Sequence, residues 1–253
     1  QGYTIRNLFM ARRSKVGPLY IVEHLEEGLG EWCRLEYKHM ASFVPPEQLV
    51  FVRWPGGEEV AELVPTGATA PKVNTKRLEE LVPPSADPWP DGPALPGWDR
   101  ICLLDMDAEE ALQPDDVAKF DAFVFGGILG NVIENEDGSY GSDDRTSEIR
   151  AAFKHRRHLG PWQMTTDSAM LYTQKVLEHA CPLAEIPGIE SPEFERPREA
   201  KRGPQDASDS VCMEGFRYMA RRGPQGEWEP ILPEGMKELL LADADNDILN
   251  SLQ

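Results

Sequence analysis

Of 253 residues only four are cysteines, Cys33, Cys102, Cys181 and Cys212, and no two of them form a C-x-x-C pair. That pattern excludes a zinc knuckle and a dense disulfide framework, and it suits a reducing, cytoplasmic setting. Apolar runs are short, and none approaches the roughly 18 residues that a membrane span needs. Positive charge is scarce: Lys and Arg total 26 against 44 Asp and Glu, a formal net charge of −18. A surface of that sign repels polyanions, so nucleic acid and anionic membrane are poor partners and a basic protein is a good one, although acidity also serves solubility. The phosphate-binding sequence G-x-x-x-x-G-K-[ST] is missing, and a dinucleotide fingerprint fails because Phe125 stands where its first glycine belongs. His24-Leu25-Glu26 does not make H-E-x-x-H, so a zinc protease is excluded as well.

What is present has the rhythm of an α/β protein. Leu19–Val22 is a short run of β-formers, and Glu31–Ala41 follows with Trp32, Leu35 and His39 on one helical face. Leu49–Val52 then closes a β-α-β unit, which implies a parallel sheet. Residues from Pro55 to Trp98 are rich in Pro and Gly around one expected helix near Thr75–Leu81 and read as a peripheral excursion. Ile101–Leu104 and Ala122–Phe125 are two further buried strands with a crossover helix entered at Gln113–Asp116. An acidic loop to Asp144, a helix over about 145–154 and a helix N-capped at Thr165-Thr166-Asp167 come next. Glu193–Ser210 is charged and poor in apolar groups, as a mobile linker would be. Phe216–Met219 and Trp228–Leu232 flank Gly223–Gly226 like a hairpin, and a short helix ends the chain. The reading therefore divides the chain into a flexible lead-in at 1–18, an α/β domain at 19–190, a linker at 191–210 and a hairpin-and-helix appendage at 211–253.

Three stretches carry candidate chemistry. Gly126, Gly127 and Gly130 follow a buried strand, where open α/β sheets bind ligands and where glycine lets the backbone come close; a tight structural turn is the plain alternative. Leu159–Ala169 holds Gln163, Thr165 and Thr166 ahead of a helix, a loop able to pinch an adenine or merely to cap. Glu23, Glu26, Glu27 and Glu31 surround His24 on one acidic loop. It is either solvated or a source of the forked acceptors that a guanidinium needs. His155 and His158 are at helical spacing, but Arg156 and Arg157 between them repel a metal ion. Asp243–Asp247 starts like a calcium loop yet lacks its turn glycine and terminal Glu.

Together, Tyr20–Gly28, Phe123–Gly130, Asp144–Thr146, Leu159–Asp167 and Pro230–Met236 resemble, in one order, the SPOUT-class protein arginine methyltransferases of yeast and its relatives. The resemblance implies a parallel sheet flanked by helices with a deep trefoil knot at its carboxyl end, an exception to the rule that chains stay unknotted. It implies S-adenosylmethionine as methyl donor and S-adenosylhomocysteine as product. The donor would be held by Leu103, Leu104, Asp105, Gly126, Gly127, Ile128, Leu129, Gly130, Leu159, Gly160, Gln163, Met164, Thr165 and Thr166. The implied acceptor is an arginine of a small-subunit ribosomal protein, uS3. Glu23 with Glu26, Glu27 or Glu31 would grip it, and Asp144 and Arg145 would close the site. The arginine-modifying branch further implies a monomer rather than a dimer through the knot. Two rivals remain on the sequence alone: a tRNA or rRNA methyltransferase of the same class, and a non-catalytic acidic escort of a ribosomal protein.

Overall fold

The computed structural model describes residues 17–56, 60–83, 89–127, 132–134, 140–142, 146–195 and 210–242. Ile128, Leu129, Gly130, Asp144, Arg145 and the Asp243–Asp247 run lie outside them.

Continuous apolar runs bounded by Pro and Gly become strands covered on both faces, as a parallel sheet requires. β1 (Leu19–His24), β2 (Leu49–Val52), β4 (Ile101–Leu104) and β5 (Ala122–Gly127) are such runs, and every residue of β2 and β4 is buried. Two short edge strands, β3 (Lys72–Val73) and β8 (Arg156–Arg157), complete a six-stranded sheet of order β3-β2-β1-β5-β4-β8, parallel throughout. The expected parallel α/β architecture is therefore present.

Side chains alternate across the pleat and fill two cores. Tyr20, Val22, Cys102, Leu104, Phe123 and Phe125 face α1 (Glu31–Phe43) and the later helix α5 (Thr166–Glu178). Ile21, Val50, Ile101, Leu103 and Val124 face α2 (Leu78–Leu81), Trp98 and Phe153 on the other side. Helix α1 stops at Val44, ahead of Pro45 and Pro46, because Pro disfavours helical geometry in the residue before it and has no N–H to donate. Short helices α3 (Asp116–Lys119) and α4 (Ser147–Arg150) sit in the crossovers, and β6 (Val132–Glu134) pairs antiparallel with β7 (Tyr140–Ser142).

Several expectations change. The helix foreseen over 145–154 is the single turn α4, because Phe153 must leave it to bury against Trp98, 5.4 Å between ring centres. The excursion from Pro55 to Trp98 contributes a sheet strand, β3, besides its helix. The stretch read as a linker begins and ends in strands: β10 (Glu193–Glu195) pairs antiparallel with β11 (Ser210–Cys212). Its anchor is Phe194, buried with Met213, Phe216, Tyr218 and Met236. The hairpin is present as β12 (Arg217–Arg222) and β13 (Trp228–Pro230), and β9 (Gly188–Glu190) adds a third strand to it. Helical residues 236–242, α6, follow.

Candidate active site

The carboxyl ends of β1 and β5 form the floor of the site, with Glu23 opposite Gly126 and His24 opposite Gly127. Crowding explains the second glycine: a Cβ on Gly127 would lie 2.3 Å from Tyr37 Oη and 2.8 Å from Val22 Cγ1. The same hydroxyl meets His24 Nδ1 at 2.8 Å, and burial holds the His24 pKa below its ordinary value. Gly127→Ala is therefore expected to cost about 1–3 kcal/mol through overpacking. Thermal unfolding checks this, and an unchanged Tm would mean that the strand end yields freely.

Helix α5 closes on that floor, and Thr166 Oγ1 donates to the Gly126 carbonyl at 3.0 Å. The two glycine-bearing and threonine-bearing segments, 40 residues apart, are thus in contact. The cap is not the one expected. Thr165 takes the N-cap position without a side-chain capping bond, and Asp167 Oδ2 lies 2.6 Å from His39 Nδ1 instead. A buried acid from another helix, the Glu36 carboxyl, stands near the Thr166 N–H.

The turn leading into α5 is clamped from behind. Gly160, at φ 110°, adopts the left-handed backbone that only glycine takes readily, and its N–H donates to His158 Nδ1 at 3.0 Å. The Gln163 carbonyl accepts the Arg217 N–H at 2.8 Å. The Arg217 guanidinium stacks 3.9 Å from the Trp162 ring centre and donates to Tyr172 Oη at 3.0 Å and Glu190 Oε1 at 2.6 Å. Leu104, Leu112, Phe125 and Leu159 are buried beside this turn, with Met164 packed on them.

Two expected lining residues turn elsewhere. Strand alternation sends Leu103, fully buried, into the opposite core with Ile21 and Val124. Asp105 is a buried clamp, taking Arg150 at 2.7 and 2.9 Å and Arg156 at 2.9 Å. Burial would raise its pKa, but those guanidiniums and the Asp107 N–H outweigh burial and hold it below 3.8.

The acidic quartet is divided as well. Glu23 is 3% exposed, and burial pushes its carboxyl up to about 7 against the opposing Leu78 N–H and the charges of Arg53 and Arg77. It floors an open cleft of about 470 Å³, counted out to solvent, between Arg53, Leu78, Trp98, Glu148 and Phe153. Arg53, itself at φ 53°, meets Glu148 at 3.4 Å across this cleft. Glu26 is half-buried on the other side, where its charge acts on His24 and Cys33. Glu27 and Glu31 are exposed. Burial of Leu25 and Leu29 turns the loop away from Glu23, so the four acids do not converge.

Sequence reasoning missed Glu36, which is 2% exposed and accepts Trp32 Nε1–H at 2.6 Å. The available signal was a carboxylate amid Trp32, Cys33, Tyr37 and Met40 on the apolar face of α1. It also missed Arg217 and Tyr218, which nothing local distinguishes from ordinary strand residues.

A parallel α/β sheet whose glycine-ended strand meets a helix N-terminus, with an apolar wall on one side and a buried acid on the other, is the setting in which open α/β proteins bind small-molecule ligands. The sequence model for SFM1-like protein arginine N-methyltransferases matches residues 19–247. Over 233 residues the chain is 34% identical to protein arginine N-methyltransferase SFM1 of Saccharomyces cerevisiae, covering 89% of this chain and 95% of that protein. A crystal structure of the yeast arginine methyltransferase SFM1 complexed with SAM is 32% identical, with TM-score 0.67 over 94% of this chain and 96% of that one. The same enzyme complexed with SAH is 34% identical, with TM-score 0.62 over 88% and 94%. The chain belongs to the SFM1-like family of protein arginine N-methyltransferases.

Proposed function

We propose that this protein transfers a methyl group from S-adenosylmethionine to an arginine of a basic small-subunit ribosomal protein, uS3, in the cytoplasm. The carrying observation is Glu23, a buried carboxyl at the end of β1, opposite a glycine and at the base of a cleft.

The cofactor suits the residues present. Leu104, Leu159 and Met164 offer an apolar wall to the adenine, while Gly126, Gly127, Gly160, Gln163, Thr165 and Thr166 bring main chain and small polar groups close to it. When bound, it supplies an electrophilic methyl group. Glu23 points to the sheet face opposite Leu104 and Leu159. Acceptor and donor therefore meet around the strand end, where Gly126 puts no side chain between them.

An entering guanidinium favours the charged form of Glu23, which then accepts two N–H groups in a fork. That grip draws positive charge away from the remaining nitrogen and holds it within roughly 3–3.5 Å of the carbon it attacks. Methylation releases one proton from the attacked nitrogen, which passes to solvent. Because the ionised form binds, kcat/KM is expected to rise with pH through about 7. A flat profile from pH 6 to 8 would remove Glu23 from this role.

The cations between Arg150 and Arg157, which an RNA enzyme would need for phosphate, are already engaged. Arg150 and Arg156 hold Asp105, Arg157 holds Asp116 and Glu110, and Lys154 holds Asp99. This counts against phosphate contacts, which need available Lys and Arg. All four cysteines are free thiols, in keeping with a reducing compartment. The return of the chain from β8, beyond β4, to Gly126 supports the proposed knot, and we take the active unit to be a monomer.

Incubation of the purified protein with S-adenosylmethionine and either uS3 or tRNA, followed by mass spectrometry, tests the reading. A gain of 14 Da on a uS3 arginine is expected. Methylated tRNA, or binding of uS3 unaffected by the cofactor, would overturn it in favour of an RNA enzyme or an escort.

A further inference from the structure

Four buried side-chain polar atoms among the described residues lack a hydrogen-bond partner, and three of them, Thr165 Oγ1, Asp167 Oδ1 and Tyr218 Oη, belong to one place. Asp167 is 0%, Tyr218 1% and Thr165 5% exposed. Thr165 Oγ1 and Tyr218 Oη face one another without a well-formed bond. Glu36 lies among them, accepting from Trp32 Nε1 and near the Thr166 N–H. The cluster thus joins three parts of the chain: α1 through Trp32, Glu36 and His39, α5 through Thr165–Asp167, and the hairpin through Tyr218. On its far side Thr166 Oγ1 holds Gly126, so a shift of this turn is a shift of the floor of the site.

The oxygens pose a bonding problem. Asp167 uses one oxygen for His39 and leaves the other buried and unpaired. A carboxylate at Glu36 would be a second anion in the same dry space, with acceptors alone to offer. A carboxylic acid there keeps an acceptor for Trp32 and Thr166 and turns a donor toward Asp167.

We infer that Glu36 is a positioning residue for methyl transfer, holding the Thr165–Thr166 turn against Gly126 by acting as acceptor to Trp32 and Thr166 and as donor toward Asp167. This rests on the reading of that turn as part of the cofactor site. Burial, with the Asp167 charge beside it, lifts the Glu36 carboxyl well above its ordinary 4.5, in agreement with the donor role. The sign follows: with the folded value raised, the contribution of Glu36 is complete below 4.5 and is lost as pH rises through the folded value. The titratable groups facing it are Cys33, Tyr37 and His39 on α1, Asp167 on α5 and Tyr218 on β12.

The test is calorimetric titration of the full chain with S-adenosylmethionine from pH 6 to 9, on the wild type, Glu36→Gln and Glu36→Leu, with Tm measured alongside. Wild-type affinity is expected to fall about tenfold as pH rises, the effect of one buried hydrogen bond. Gln, an acceptor and donor at every pH, should keep the low-pH affinity throughout; Leu should bind about tenfold more weakly throughout. A wild-type slope that persists unchanged in Glu36→Gln, or a Leu variant that binds like wild type, overturns the inference alone. Absence of binding by the wild type at every pH overturns the cofactor reading and the inference with it.

Discussion

Glu23→Gln is expected to give a protein that is harder to unfold at pH 8 and nearly inactive. The folded carboxyl has a value of about 7 against an ordinary 4.5, so its contribution to stability is present below 4.5 and lost as pH rises through 7. At pH 8 it is ionised inside the protein, a penalty on the order of 3 kcal/mol from the size of the shift. Glutamine removes that charge and still accepts the Leu78 N–H, so Tm should rise by about 6–12 °C at pH 8 and change little at pH 5. Turnover on the proposed acceptor, uS3, should meanwhile fall on the order of a hundredfold, as when one preorganised electrostatic group is deleted from an active site. Thermal unfolding at the two pH values and single-turnover kinetics read both effects. A loss of stability together with activity would make Glu23 a structural group, and retained turnover would place the acceptor elsewhere.

Asp105→Ala carries the largest expected stability loss, about 3 kcal/mol. Deleting one partner of a buried ionic cluster leaves the rest uncompensated, and here two guanidiniums lose a carboxylate that is 1% exposed in its side chain. Arg150 and Arg156 are themselves 24% and 31% exposed, which keeps the figure at the lower end for such clusters. Because Asp105 ties α4 and β8 to the end of β4, S-adenosylmethionine affinity should fall with Tm. Asp105→Asn, which keeps the shape but not the charge, should lie between. The wild-type stabilisation holds above 3.8 and fades as pH falls through the lower folded value. Full-strength cofactor binding by the alanine variant would show that the clamp and the site are independent.

The sequence disclosed the elements whose residues act in runs. Leu49–Val52 could be read as a buried strand because all four of its residues are apolar, and β2 has those same bounds. The contact between the glycine segment and the threonine segment was foreseen from the resemblance, and Thr166 on Gly126 bears it out. What escaped was whatever depends on partners far along the chain. Lys72–Val73 is a strand only because β2 offers it an edge. Asp105 looked like a lining residue because its two arginines arrive 45 and 51 residues later. Glu23 and Glu26 are neighbours in sequence, yet Glu23 belongs to the strand β1 and Glu26 lies beyond it in a loop turned away by the burial of Leu25 and Leu29.

The order of the strands has a consequence for how the chain is made. β1 emerges first but occupies the middle of the sheet, where it finds β2 after 29 residues and β5 only after 103, as the pairs Tyr20 with Leu49 and Tyr20 with Phe123 show. Contacts that close such long loops are slow to form. A nascent chain must therefore wait with one side of its central strand open until β5 leaves the ribosome, and only after α5 follows can Gly126 receive Thr166. Assembly of the catalytic half is consequently a late event of synthesis, during which the unpaired edge of β1 is the segment most in need of shelter.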